Sequence, residues 1–333
     1  VEEEDRLVDL EKLKNVAKDT VSREDVKYLI GWRQGTYGFR VSPLFMTEPE
    51  DADKLIFSPL CVNNLATYLT LAEKLPVPRG AEPDTRKVAL MVKGCDSRAV
   101  VQQLIEKGIE RESVLVIGCP CQGVLDLEKV EEKFPGVQSP VDVQWGDDKF
   151  IINLPDGTQE VPREELLAQK CLNCRYPNPV ISDVMLWEEV EAWGNGEYAD
   201  VKELEAMDSQ ERWTFWQEKF ASCIRCYACR NACPMCYCED CVLDRLNPQW
   251  VFRSNNISEN TVFHLARAFH LAGRCIECGE CERVCPMGLP LMSLNRKLAK
   301  EVREKYACEP GLDPESKPFQ SSYRPDDQED FIL

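Results

Sequence analysis

Cys223, Cys226, Cys229 and Cys233, followed by Pro234, set a spacing that returns at Cys275, Cys278, Cys281 and Cys285, followed by Pro286. Both strings read C-x2-C-x2-C-x3-C-P. Thiols at that spacing suit a [4Fe–4S] cube, because a loop with two residues between ligands can wrap three corners of one cluster. Two complete copies make a chance match untenable. More thiols stand around them: the 333-residue chain holds 18 cysteines, and Cys236, Cys238 and Cys241 crowd against the first string. Neighbours at Cys-x2-Cys spacing in a chain this long point to metal ligation in a reducing compartment rather than to a disulfide framework.

The doubled string is the two-cluster ferredoxin signature, in which the fourth cysteine of each run reaches the other cube. It assigns Cys223, Cys226, Cys229 and Cys285 to one cluster, and Cys275, Cys278, Cys281 and Cys233 to the second. The stretch between the strings is too long for a compact bacterial ferredoxin and reads as helical. It resembles the α-helical ferredoxin domain of the heterodisulfide reductase C subunit and of the succinate dehydrogenase iron–sulfur subunit, and "GRCIECGECERVCPMGLPLMSL" is especially close. That resemblance implies electron transfer between partner subunits.

Other elements must hold the N-terminal thiols. "KVALMVK" and "SVLVIG" are apolar runs of strand length, and the segment "RAVVQQLIEK" between them is helical, with Asp96 or Ser97 as its cap and Gly108 as its end. Strand, helix and strand make a βαβ unit with parallel strands. Ligands collect beyond the carboxyl ends of such strands, and here those ends run into Cys95 and into Cys119 and Cys121. The helix start, at Lys93, Gly94, Ser97 and Arg98, offers N–H groups to a cofactor phosphate. Neither a G-x-G-x-x-G nor a P-loop string is present. "VDVQWGDDKFIINLPDGTQEVP" then predicts a short antiparallel meander, and "REELLAQK" a helical piece that delivers Cys171 and Cys174.

"GCPCQG" followed by "CLNCRYPNPVISDV" resembles the β subunit of the coenzyme F-420 (deazaflavin) hydrogenase and of related formate dehydrogenases. The resemblance implies a third [4Fe–4S] cluster beside FAD, with Cys121, Cys171 and Cys174 matched residue by residue. Cys95 is the first choice for the fourth ligand, and Cys119 the next. Ser182 stands where that family has alanine before Asp183, a mild departure.

The expected fold is therefore an α/β domain over residues 1–205, with a partly parallel sheet, a βαβ unit and a short meander. An all-α ferredoxin domain follows over 206–305, then an extended acidic tail over 306–333. Residues 1–50 read as a helix-rich lead-in followed by a Gly- and aromatic-rich loop, "GWRQGTYGFRVSP". Trp213, Trp216 and Phe220 are expected as one apolar helix face in a core. His264 and His270 are expected as packing or surface residues on a helix capped by Ser258 and Gly273. Cys236, Cys238 and Cys241 supply three ligands and need one more. A fourth centre, iron–sulfur or zinc, is one reading, and packing around the ferredoxin clusters the other. Cys61 and Cys308 are expected as ordinary thiols.

The formal charge of −18 argues against a nucleic-acid partner and favours partners with basic docking patches. The start, "VEEEDRL", lacks the pattern of a secretory leader, and no apolar run is long enough to span a bilayer. The expected setting is the cytoplasm, with any membrane association through partner subunits. The leading function is an electron-relay subunit of a multisubunit oxidoreductase with hydrogenase, formate dehydrogenase or heterodisulfide-reductase-like partners. The alternative is a flavin enzyme that itself reduces or oxidises a deazaflavin, and a zinc scaffold is a third class.

Overall fold

The computed structural model describes residues 8–73, 82, 84–194 and 196–323. The chain begins with α1 (Leu10–Val21), whose first turn is closed by the Asp9 carboxylate accepting from the Lys12 N–H at 2.8 Å. Next come β1 (Val26–Gln34), β2 (Val41–Met46), β3 (Leu55–Ile56), α2 (Thr67–Glu73), β4 (Lys87–Val92), α3 (Gly94–Ile105) and β5 (Val114–Gly118). They build one mixed sheet, completed by a short β9 (Val184–Met185), in the order β2-β1-β4-β5-β9 with β3 against β1. β1 and β4 run parallel, as do β4 with β5 and β5 with β9. The expected βαβ unit is thus present. β5 is buried at every position, as a central parallel strand covered on both faces must be.

The expected loop at "GWRQ" is corrected, because Gly31–Gln34 continue β1 at the middle of the sheet. The apolar run from Val26 supplies enough strand-forming surface to bury Trp32 completely. The start of α3 also shifts: the helix begins at Gly94 and its box is closed by Asp96, whose carboxylate accepts from the Lys93 N–H at 3.0 Å. Only glycine serves at position 94, since a Cβ there would lie 1.9 Å from the Tyr176 carbonyl oxygen laid across the helix start.

α4 (Leu127–Lys133) leads to the meander β6 (Asp142–Trp145), β7 (Lys149–Leu154) and β8 (Gly157–Pro162), antiparallel throughout. Two single turns, α5 (Arg163–Leu166) and α6 (Gln169–Leu172), then carry the chain back beneath the sheet's carboxyl end. The Trp145 indole donates to the Gly123 carbonyl at 2.7 Å, which ties the meander to the loop after β5.

The rest is helical: α7 (Ala199–Ala206), α8 (Ser209–Ala221), α9 (Ala228–Asn231), α10 (Ile257–His270), α11 (Glu280–Arg283) and α12 (Leu291–Tyr306). Asn256, not Ser258, caps α10, its side chain accepting from the Glu259 N–H at 3.0 Å. Phe220 is buried and stacks on Trp216, but Trp213 is 45 % exposed, because only the last turns of α8 reach the core. Among the described residues no helix is long and apolar enough to cross a membrane.

The two parts interlock. Met235, Leu271, Ile276 and Cys278 belong to the same buried core as the sheet, while Phe220, Cys229, Phe263, Cys281 and Leu289 form a second, smaller core. Arg274 donates to both carboxylate oxygens of Glu106 at the end of α3, and the Tyr237 hydroxyl donates to one of them. Burial pushes the Glu106 pKa up, but Arg274 and Tyr237 outweigh it and hold it below the ordinary carboxylate value. The Glu106 contribution to stability is therefore present above the unfolded carboxylate range and fades as pH falls through the lowered folded pKa. Arg274→Met strands a half-buried carboxylate and is expected to cost about 3 kcal/mol in chemical denaturation. A loss under about 0.5 kcal/mol, the scale of an ordinary surface change, would show that this pair does not lock the two parts.

The described part of the tail also departs from expectation. It folds back on its own chain: Phe319 packs on Tyr306, and the Gln320 amide donates to the last carbonyls of α10, at Phe269 and His270. The apolar end "FIL" lies outside the described residues.

Candidate iron–sulfur sites

Three groups of thiols stand around the junction of sheet and helices. Cys95 follows β4, Cys121 follows β5, and Cys171 and Cys174 follow from α6. Together they wall a cavity of about 60 Å³. The loops are pinned from behind: the Trp187 indole donates to the Pro120 carbonyl at 2.9 Å, and the Trp193 indole to the Cys171 carbonyl at 3.0 Å. Backbone N–H groups of Gly123 and Val124 point at the sulfurs of Cys121 and Cys171, both at 3.4 Å. Cys119 lies beside buried Cys61 and is not among the residues that wall this cavity.

Cations gather here despite the acidic chain. Lys93 is buried, 2.9 Å from Asp96 and 4.1 Å above the Trp32 ring, and Lys170, Arg98, Arg175 and Arg296 also wall the cavity. Burial works against the Lys93 ammonium, but Asp96, Cys95 and Cys121 outweigh it and raise its pKa. The thiols shift for the reason that burial penalises thiolate: Cys95 is pushed up to about 12 and Cys174 to about 11. A thiolate-ligated cluster is anionic, and such a floor suits one. Of the residues expected at a phosphate, Lys93, Gly94 and Arg98 line the cavity. Ser97 is buried, its hydroxyl donating to the Gly94 carbonyl and accepting from the Val180 N–H. The Arg98 guanidinium is spent on the carbonyls of Ile276 and Pro310.

In the helical part, Cys223, Cys226, Cys229 and Cys285 line one small cavity with Ile224, Phe263, His264 and Met287. Cys233 stands near Cys275, Cys278 and Cys281, on the side of the larger core. The two loops repeat each other in backbone as well as in sequence. Arg225 (φ 56°) and Tyr227 (φ 61°) flank Cys226 in the left-handed region, and Glu277 (φ 58°) and Gly279 (φ 70°) flank Cys278 in the same way. Non-glycine residues enter that region at a cost of order 1–3 kcal/mol, and such reversals aim successive N–H groups into an anion-binding hollow. The two loops thus share a shape suited to wrapping an anionic cube. Among the described residues no three His, Cys, Asp or Glu side chains converge tightly enough to chelate a single ion.

The surplus thiols separate. Cys236 lies against Cys233 and packs on the larger core, Cys241 packs on the smaller one, and Cys238 is exposed. None of the three lines either cysteine-walled cavity.

Behind the thiols stand side chains that the motifs do not announce, among them His264, expected only as a packing or surface residue. His264 is buried, with Nε2 3.3 Å from the Cys223 sulfur and its ring stacked on Phe220 at 4.9 Å. Burial, with Arg267 and Arg225 nearby, pushes its pKa down to about 4, so the imidazole is neutral at pH 7. The Asn295 amide donates to the Cys281 sulfur at 3.5 Å. His264 and Arg267, one turn apart on α10, could have been suspected only by knowing that this face meets both loops.

Thiols placed in this way on an α/β sheet and a helical module define an iron–sulfur protein of the electron-transfer class. Residues 222–290 match the family described as a 4Fe-4S dicluster domain. Beyond that segment, the chain is 24% identical over 286 residues to the F420-dependent formate dehydrogenase subunit beta of Methanocaldococcus jannaschii, covering 68% of this chain and 74% of that one. It is 26% identical over 292 residues to the F420-dependent formate dehydrogenase 1 subunit beta of Methanococcus maripaludis, covering 70% and 75%. A solved structure of the F420-reducing [NiFe] hydrogenase complex from Methanosarcina barkeri aligns at 17% identity and a TM-score of 0.38, over 51% of this chain and 64% of that chain. The resemblance to these β subunits, read first from the thiol motifs, extends over most of the chain.

Proposed function

We propose that this chain is the electron-relay subunit of a multisubunit oxidoreductase of the deazaflavin-linked formate dehydrogenase or hydrogenase type. It would hold three [4Fe–4S] clusters: one on Cys95, Cys121, Cys171 and Cys174, and two on the doubled string. Bound clusters would supply one-electron transfer, and the protein's part is to hold them in series. The observation that carries this reading is the contact between sites. Ile276 and Glu277, from the second loop, also wall the N-terminal cavity, and Lys170 beside Cys171 lies 3.9 Å from Glu280. That loop in turn adjoins the first, where Cys226 is exposed beside Ile224 and Met287. The order runs from the sheet's carboxyl end to the surface of the helical module, where a partner subunit would dock. A cytoplasmic setting goes with this reading.

A second reading makes the chain the flavoenzyme itself. A cleft of about 580 Å³ opens between the two parts, lined by Arg40, Asp126, Lys170, Glu282, Arg283 and Cys285 among others. That volume falls in the range of cofactor pockets. Anaerobic purification followed by acid extraction separates the two readings. A pure relay releases no flavin, whereas the flavoenzyme releases about one FAD per chain, and iron-free protein contradicts both.

A further inference from the structure

α10 presents Asn260, His264 and Arg267 on one face, at the i, i+4 and i+7 spacing of a helical stripe, and all three are buried. Arg267 is the unusual member. A buried guanidinium is costly unless anions balance it, yet among the described residues Arg267 shares no ion pair with a carboxylate. Its terminal nitrogen donates to the Cys229 carbonyl at 3.0 Å, and its Nε has no partner. Four thiols stand nearest its charge: Cys233 and Cys281 from one ligand set, Cys229 from the other, and Cys236 beside them, with His264 a further titratable neighbour. Its neighbours His264 and Asn295 are each placed on one set only, at the Cys223 and Cys281 sulfurs respectively.

We propose that Arg267 is an electrostatic bridge between the two C-terminal cluster sites, a positioning residue whose fixed charge favours the reduced state at both. His264 serves only the Cys223 set, and Asn295 only the Cys281 set. The inference rests on the reading that these sites hold [4Fe–4S] clusters. One-electron reduction adds one negative charge to a site, and a cation held beside its ligands in a low-dielectric interior stabilises that added charge. Because one guanidinium bonds the Cys229 carbonyl of one set and lies at Cys233 of the other, it raises both potentials together. His264 acts differently. A thiolate bound to iron can only accept, so Nε2 must carry the proton and donate to Cys223, with the ring plane fixed by Phe220.

The test is a dithionite titration of the full chain, anaerobically reconstituted and followed by EPR. Arg267→Met is expected to lower the reduction equilibrium at both C-terminal clusters by about tenfold, or about 59 mV for one electron. Arg267→Lys, which keeps the charge, is expected to stay within about threefold. His264→Phe, which keeps the stack and removes the donor, is expected to lower only the cluster of the Cys223 set. Arg267→Met with full iron and unmoved potentials, or with only one cluster moved, overturns the bridge. So does Arg267→Lys falling as far as the methionine variant. Should Arg267→Met fail to hold iron, the lysine variant alone decides: potentials within threefold support the bridge, and a tenfold fall overturns it. Wild-type protein that binds no iron sinks the cluster reading itself, which separates that failure from this one.

Discussion

Cys285→Ala should abolish the same EPR signal as Cys223→Ala and leave intact the signal that Cys278→Ala removes. Each variant should lose about four of the bound irons, the content of one cube. Although Cys285 lies next to the second string in sequence, it lines the cavity of the first with Cys223, Cys226 and Cys229. Its sulfur accepts from the Leu289 N–H at 3.4 Å. Cys233 crosses in the other direction, toward Cys275, Cys278 and Cys281. Cys233→Ala should therefore behave as Cys278→Ala does. If the losses instead pair Cys285 with Cys278, each string folds around its own cube and the crossed assignment is wrong.

The second large effect concerns the N-terminal cavity. Cys95→Ser is expected to lose about four further irons, whereas Cys119→Ser is expected to keep them. Both thiols lie just past the carboxyl ends of parallel strands, so strand-end position alone cannot separate them. Orientation does. Cys95, in the first turn of α3, faces the cavity with Cys121, Cys171 and Cys174, while Cys119 is fully buried beside Cys61. Iron retained in the Cys95 variant and lost in the Cys119 variant would reverse the ligand choice.

The motifs were legible because their chemistry is local. Three cysteines within seven residues define a loop whatever surrounds them, and the continuous apolar runs at Lys87–Val92 and Val114–Gly118 announced parallel strands with equal clarity. The hairpin of β1 and β2 was not legible. Gly31 and Gly35 suggested a loop, and only pairing with β2 on one side and β3 on the other turns "GWRQ" into an interior strand. The same limit hid the side chains that serve the sites. Arg267, His264 and Lys170 look ordinary in sequence, because their roles arise where α10 or α6 meets a loop from a distant part of the chain. The tail misled for a related reason: its composition suggests an extended segment, but Phe319 and Gln320 find partners at the end of α10.

Iron and acid-labile sulfide in the wild-type chain, measured after anaerobic reconstitution, test the three-cluster reading most directly. The expected result is about twelve of each per chain, with [4Fe–4S] signals on reduction. Zinc without sulfide, or iron that stops at about eight atoms, the content of the doubled string alone, would contradict it.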